Sequence, residues 1–149
     1  MPKVQLTAIL RAALISEQVD PDAYARRFGE WKDEFPEGEF EDYEFGKDGA
    51  YARPLRGNQH VLWHVHLPPE SDSAAIADWT VRWQRRSRRT SDSSLIYTQD
   101  RVRGYLLLYI AREPTGHLIA DMGNEASARL MNQLADAAES FIHTGRIVL

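Results

Sequence analysis

The stretch Tyr105-Leu106-Leu107-Leu108-Tyr109-Ile110 is apolar at six consecutive positions. A strand formed there needs cover on both faces, the pattern of a central strand in a layered domain. Just upstream, Leu95 to Thr98 and the turn Gln99 to Gly104 complete an antiparallel hairpin with Tyr105 to Ala111. Further upstream, Gln59 to Leu67 alternates: Val61, Trp63, Val65 and Leu67 lie on one face and His60, Leu62, His64 and His66 on the other, the period of a strand. Downstream, Glu113-Pro114-Thr115-Gly116 turns the chain into a short strand expected at His117 to Ala120.

The flanks read as helices. Lys3 to Leu6 suits a short strand, after which Thr7 can cap a helix running to Leu14. Asp20-Pro21 is a stronger start: the carboxylate accepts free N–H groups and proline sits where its missing N–H costs nothing. Tyr24, Phe28, Trp31 and Phe35 then recur at helical spacing until Pro36 and Gly38 stop the helix. Pro36 to Asn58 lacks periodicity and reads as a long loop, while Ala74 to Arg86 is amphipathic or irregular. Asn124 caps a last helix carrying Leu130, Met131, Leu134, Ala138, Phe141 and Ile142, and Gly145 ends it. The fold class is α+β: a small antiparallel sheet of about four strands, packed on one face against two amino-terminal helices and a carboxy-terminal helix.

The 149 residues, 43% hydrophobic and 10% aromatic, suffice for one domain spanning 1–149 with a real core. The chain has no cysteine, which excludes a disulfide framework and thiolate chemistry, and no run of about 18 apolar residues that would span a membrane. It reads as soluble, unexported and cytoplasmic.

The net charge of −4 argues mildly against nucleic acid, but the charges are segregated. Glu17 to Asp48 carries 12 acidic and 4 basic residues, whereas Arg82 to Arg103 carries 7 basic and 2 acidic. Arg82, Arg85, Arg86, Arg88 and Arg89 crowd into eight positions, with Arg101 and Arg103 beyond. Guanidinium forks match phosphate oxygens, and Trp79 and Trp83 offer faces for bases. A solvated stretch answering the acidic segment within the same molecule is the competing reading. His64 and His66, about 7 Å apart by strand geometry, suit general acid or base work, a metal site or ordinary packing. A metal site lacks a third strong ligand at a definite spacing. The glycines of Phe45-Gly46-Lys47-Asp48-Gly49 do not have the spacing of a phosphate loop.

Phe45-Gly46-Lys47-Asp48 with Tyr51 and Pro54, His64-Val65-His66-Leu67, Arg89-Thr90-Ser91-Asp92, Leu95-Ile96-Tyr97, Tyr105 to Ile110, and Pro114 with His117 follow one another in an order that resembles the YafO family of bacterial type II toxins. The resemblance runs from about Val4 to Phe141. It implies a RelE-like α+β fold and an mRNA interferase acting on translating ribosomes. It also implies a cognate protein antitoxin that neutralises the toxin and commonly represses the operon with it. The partners are then antitoxin, ribosome and mRNA, with no membrane. In the reaction so implied, the ribose 2′-hydroxyl attacks the adjacent phosphate, which needs a base, an acid and cations but no metal or other cofactor. Arg89 is expected as phosphate clamp, Arg82, Arg85, Arg86, Arg88, Arg101 and Arg103 as RNA contacts, His117 or His66 as proton carrier, and Tyr97 as a further acid or base. Two other functions compete: a non-catalytic module whose acidic aromatic loop docks a basic partner, and a metal-dependent nuclease using the histidines.

Overall fold

Thr7 joins the first strand, the first helix and the central strand. In the computed structural model, which describes residues 2–149, strand β1 (Val4–Leu6) ends at Thr7. The Thr7 Oγ1 accepts from the Leu10 N–H at 3.2 Å, capping helix α1 (Ala8–Ser16), and donates to the carbonyl of Leu108 at 2.8 Å. Helix α2 (Pro21–Asp33) starts as its sequence demands, with the Asp20 carboxylate accepting from the N–H groups of Asp22 and Ala23. Next come α3 (Glu37–Glu41), β2 (Asp48–Ala50), β3 (Leu55–Arg56), β4 (Gln59–His60), β5 (Trp63–His66) and α4 (Ser73–Gln84). The chain closes with β6 (Ser94–Asp100), β7 (Gly104–Ala111), α5 (Gly116–Asp121) and α6 (Glu125–Thr144).

The main sheet has five strands in the order β1-β7-β6-β5-β2, and β3 and β4 form a separate hairpin. β1 runs parallel to β7 while the other pairs are antiparallel, so the sheet is mixed and one strand wider than expected. The extra strand, β2, is three residues long, Asp48-Gly49-Ala50. It has no apolar period to announce it and exists only because β5 offers an unpaired edge.

Helices cover both faces of the sheet, not one. Val65, Leu95, Tyr97 and Leu107 bury themselves with Leu10, Leu14, Phe28 and Trp31 on the α1–α2 side. Ile96, Leu106 and Leu108 bury themselves with Met131, Leu134, Ala138 and Phe141 of α6. Each such fully buried side chain contributes roughly 1.5–3 kcal/mol. The continuous apolar run of β7 is thereby explained, since its two faces serve two layers. Between Ile96 opposite Tyr109 and Tyr97 opposite Leu107 the register shifts, leaving Leu108 as the extra residue of a β-bulge. Its carbonyl is the one that receives the Thr7 hydroxyl.

Other segments depart from their sequence reading for local reasons. Ala74 to Arg86 lies within a regular helix, α4, capped by the Asp72 carboxylate on Ala74 and Ala75 N–H. His117 to Ala120 is helical, part of α5, because the turn at Gly116 sends the chain back over the sheet rather than along its edge. Gln59 to Leu67 breaks after His60, so that Val61 and Leu62 can both enter the α6-side core. His60 therefore leaves the face shared by His64 and His66, its Nδ1 lying 3.0 Å from the Tyr51 carbonyl.

Replacing Thr7 by Val removes both the cap and the partner of the Leu108 carbonyl. It is expected to lower stability by about 2 kcal/mol, read as a lower urea midpoint at unchanged slope, while Thr7→Ser recovers most of the loss.

Candidate functional site

The arginine-rich segment begins at the end of α4, and its members have different fates. Arg89 is fully buried. Its Nη1 donates to the Tyr43 carbonyl at 2.9 Å, and its Nη2 to the carbonyls of Glu39 at 2.5 Å and Phe45 at 3.0 Å. The guanidinium also lies over the Trp79 ring, 5.1 Å from its centroid. Arg89 is thus a strap holding the 39–45 segment, not the expected phosphate clamp: both terminal nitrogens donate to main-chain oxygens, and the whole group, including an Nε with no hydrogen-bond partner among the described residues, is shielded from any external anion. Burial lowers its pKa, which Asp42 and Glu39 partly counter. Gly46 belongs to the same junction, because a Cβ there would come within 2.6 Å of the Arg89 carbonyl and 2.7 Å of Trp79.

The acidic segment answers much of the remaining positive charge. Arg88 pairs with Glu39 at 3.0 Å, Arg86 with Glu41 at 3.4 Å and Arg82 with Asp78 at 2.8 Å. The competing reading, a stretch that answers the acidic segment of the same molecule, therefore holds for Arg86 and Arg88, whereas Arg82 pairs within its own helix. The Arg82 and Arg86 pairs are exposed on both sides, so they are weak and exchange readily for another anion, whereas Glu39 is buried and holds Arg88 more firmly. Arg85 and Arg101 are exposed and have no ion-pair partner among the described residues. Arg103 donates to the carbonyls of Ile142 and His143, serving the end of α6.

Two of the expected proton carriers meet at the loop between Arg89 and β6. His66, at the end of β5, places Nδ1 3.0 Å from the Ser91 N–H and 2.8 Å from the Ser91 carbonyl. A neutral ring can accept from the first, and a ring protonated at Nδ1 can donate to the second; either way Nε2 is left for other partners. The next residue, Asp92, holds the other imidazole, its Oδ1 2.8 Å from His117 Nδ1. Gly116 makes that approach possible, since a Cβ there would collide with the Asp92 carbonyl at 1.8 Å. Ser91 Oγ keeps the loop in place by donating to the carbonyls of Leu67 and Ser93.

His64 extends the site along the sheet. It stacks on Tyr51 with centroids 3.9 Å apart and planes 2° from parallel, and its ring lies 5.4 Å from that of His66. Burial, followed by the proximity of His66, pulls the His64 pKa down to about 4. Burial lowers His66 as well, opposed by its Ser91 hydrogen bond and by the Asp92 charge, while Lys47 pushes the same way as burial. Lys47 is exposed, and its main chain is fixed between Arg89 and His66.

Tyr97 does not join this group. Its side chain points to the α1–α2 side, where the hydroxyl donates to Asp48 Oδ1 at 2.6 Å and accepts from Lys32 Nζ at 2.8 Å. Burial and Asp48 raise its pKa well above the ordinary tyrosine range. The structure thus gathers His66, His117, Asp92, Ser91 and Lys47, and leaves Arg89 and Tyr97 outside. Sequence reasoning missed Ser91, Asp92 and Lys47 as parts of the site. The signal for them was Ser91-Asp92, separated only by Thr90 from a buried arginine, and only the fold reveals that burial. Among the described residues, no group of three or more His, Asp or Glu is arranged to hold a metal ion.

Two outcomes test this geometry. Arg89→Ala should cost about 3–5 kcal/mol by stranding buried carbonyls and opening the junction, seen as a large drop in thermal and urea midpoints; a variant of native stability would refute the strap. Because the His64 pKa is lowered in the fold from 6.5 to about 4, its contribution to stability is complete above about pH 6.5 and falls away as the pH drops toward 4. Urea titrations at pH 7 and 4.5 should differ less in His64→Gln than in the wild type.

Comparison with known proteins matches residues 30–143 to a family described as toxin YafO of a type II toxin–antitoxin system. No curated protein and no solved structure matches the chain. The matched span runs from the end of α2 into the last turns of α6 and includes every residue of the His66–His117 site. The chain belongs to the YafO family of type II toxins.

Proposed function

We propose that this toxin is an endoribonuclease that cuts mRNA on the translating ribosome, in the cytoplasm, and thereby arrests translation and growth. A type II toxin has a protein antitoxin as its partner; ribosome and mRNA are the partners this reading adds. One observation carries it: two imidazoles are held by consecutive residues, His66 by Ser91 and His117 by Asp92, with the exposed cation Lys47 joined through its carbonyl to the His66 N–H.

The two imidazoles divide the proton transfers. A His66 ring kept neutral by burial can take the proton of a ribose 2′-hydroxyl through Nε2. The freed oxygen attacks the adjacent phosphorus, and the bond to the 5′-oxygen breaks. His117, oriented through Nδ1 by Asp92, supplies a proton from Nε2 to that leaving oxygen. Lys47 offsets the charge gathering on the phosphoryl oxygens. Arg85, the exchangeable pairs of Arg82 and Arg86, and the exposed guanidinium of Arg88 beside its Glu39 partner offer contacts to the RNA backbone.

The alternative, a non-catalytic module using its acidic aromatic face, loses ground because that face is already occupied: Glu39 and Glu41 bind Arg88 and Arg86, and the Tyr43 and Glu41 carbonyls accept from Trp79 and Trp83.

Expression without antitoxin should stop growth and shorten transcripts, as seen by primer extension. His66→Ala and His117→Ala should each lower single-turnover cleavage on programmed ribosomes by roughly 10²–10⁴-fold while retaining antitoxin binding. Full cleavage by both variants, or growth arrest with intact transcripts, would overturn the reading.

A further inference from the structure

On the sheet face away from His64 and His66, a cleft of about 360 Å³ opens among Lys32, Phe35, Asp48, Trp63, Tyr97 and Tyr105. A second, of about 540 Å³, adjoins it through Trp63, Gln99 and Tyr105 and reaches Arg101. At the floor is a buried ion pair. Lys32 Nζ lies 2.6 Å from Asp48 Oδ2 and 2.8 Å from the Tyr97 hydroxyl, and the two charged side chains are only 8% and 7% exposed. An ammonium has three donors, and two are used here. Taking such a pair out of water is costly, and cleavage as proposed above makes no use of it.

The walls have a regular origin. Gln99 lies on β6 opposite Tyr105 of β7, and Trp63 lies on β5 opposite Tyr97, two positions along the strand from Gln99. Trp63 and Tyr105 thus rise from strands on either side of the one bearing Gln99, two strand spacings apart across the sheet and two residues apart along it, a backbone diagonal of roughly 11–12 Å, and both side chains line the two adjoining clefts. A planar ring held between two aromatic faces needs about 7 Å, twice a carbon–carbon contact distance. The Gln99 amide, which has no side-chain hydrogen bond among the described residues, offers a donor and an acceptor to the edge of such a ring. Arg101, exposed and unpaired among the described residues, stands at the mouth.

We propose that this cleft is a second RNA-binding site, in which Trp63 and Tyr105 stack one unpaired base, Gln99 meets its edge and Arg101 contacts a neighbouring phosphate. The proposal rests on the RNA-directed reading above and adds a contact remote from the bond that is cut. A flat slot with an amide between its walls and a cation at its mouth suits a nucleotide better than a peptide, which would need a longer apolar track. Lys32, Asp48 and Tyr97 then form a rigid base to the slot, the ammonium's third donor being available to a base oxygen.

The test uses the full chain and a short single-stranded 2′-O-methyl RNA carrying 5-iodouridine, which attack by a 2′-hydroxyl cannot cut. Photocrosslinks mapped by mass spectrometry should fall on Trp63 or Tyr105. Trp63→Leu should weaken binding in fluorescence anisotropy about tenfold. Arg101→Glu, a surface change with no load on the fold, should weaken it as well and flatten its salt dependence. Crosslinks confined to the His66–His117 face, with affinity unchanged in both variants, would overturn the proposal even if mRNA is cleaved. Loss of antitoxin binding but not of RNA binding in these variants would also overturn it and make the cleft a protein-docking site. Crosslinks in the cleft of a chain that cuts no mRNA would uphold this binding site while removing the proposed catalysis.

Discussion

The Arg89 guanidinium gives up its hydration and receives three main-chain carbonyls and the face of Trp79. Because those carbonyls belong to residues 39, 43 and 45, one side chain welds the irregular segment after α2 to the segment entering β6. Both ends of the weld lead to the proposed site. On one side the chain continues through Gly46 to Lys47 and Asp48; on the other it continues through Thr90 to Ser91 and Asp92. The Lys47 N–H donates to the Arg89 carbonyl, and the His66 N–H donates to the Lys47 carbonyl, so the edge strand and the histidine strand are registered from the same point. A buried cation is an expensive way to join two loops. Here it fixes the distance between the groups that the proposed reaction uses.

The sheet then separates two environments. On the α6 side, beyond the reach of that helix, β5 presents His64 and His66 beside Tyr51 and the Ser91–Asp92 loop. On the α1–α2 side the same strands present Trp63, Tyr97 and Gln99 around the Lys32–Asp48 pair. Side chains alternate along a strand, so neighbours in sequence such as Trp63 and His64 serve opposite faces. The polarised charge of the sequence follows a similar logic. The acidic stretch and the arginine stretch fold against one another, and much of the apparent asymmetry is consumed within the molecule.

What was legible beforehand had strong local causes. Thr7, Asp20 and Asn124 were readable as caps because a short polar side chain before an apolar period has one good use, and each accepts the expected N–H. The β6–β7 hairpin was readable from its apolar density. β2 and α5 were not readable. Asp48 to Ala50 becomes a strand by pairing alone, and His117 to Ala120 becomes helical through the path forced on Gly116 by the Asp92 carbonyl. The histidines were singled out by residue type, whereas the partners that hold His66 and His117 lie 25 residues away from each in chain number, at Ser91 and Asp92.

The sequence by itself determined the layered α+β class, the starts of α1, α2 and α6, the central hairpin and the membership in a toxin family, because each depends on composition, period or motif order along the chain. Only the tertiary structure decided which arginines are available to an anion and which histidines meet. Burial and hydrogen-bond partners are properties of packing: Arg89 and Arg85 are the same residue type in one short segment, yet one is sealed under three carbonyls and the other stands in water.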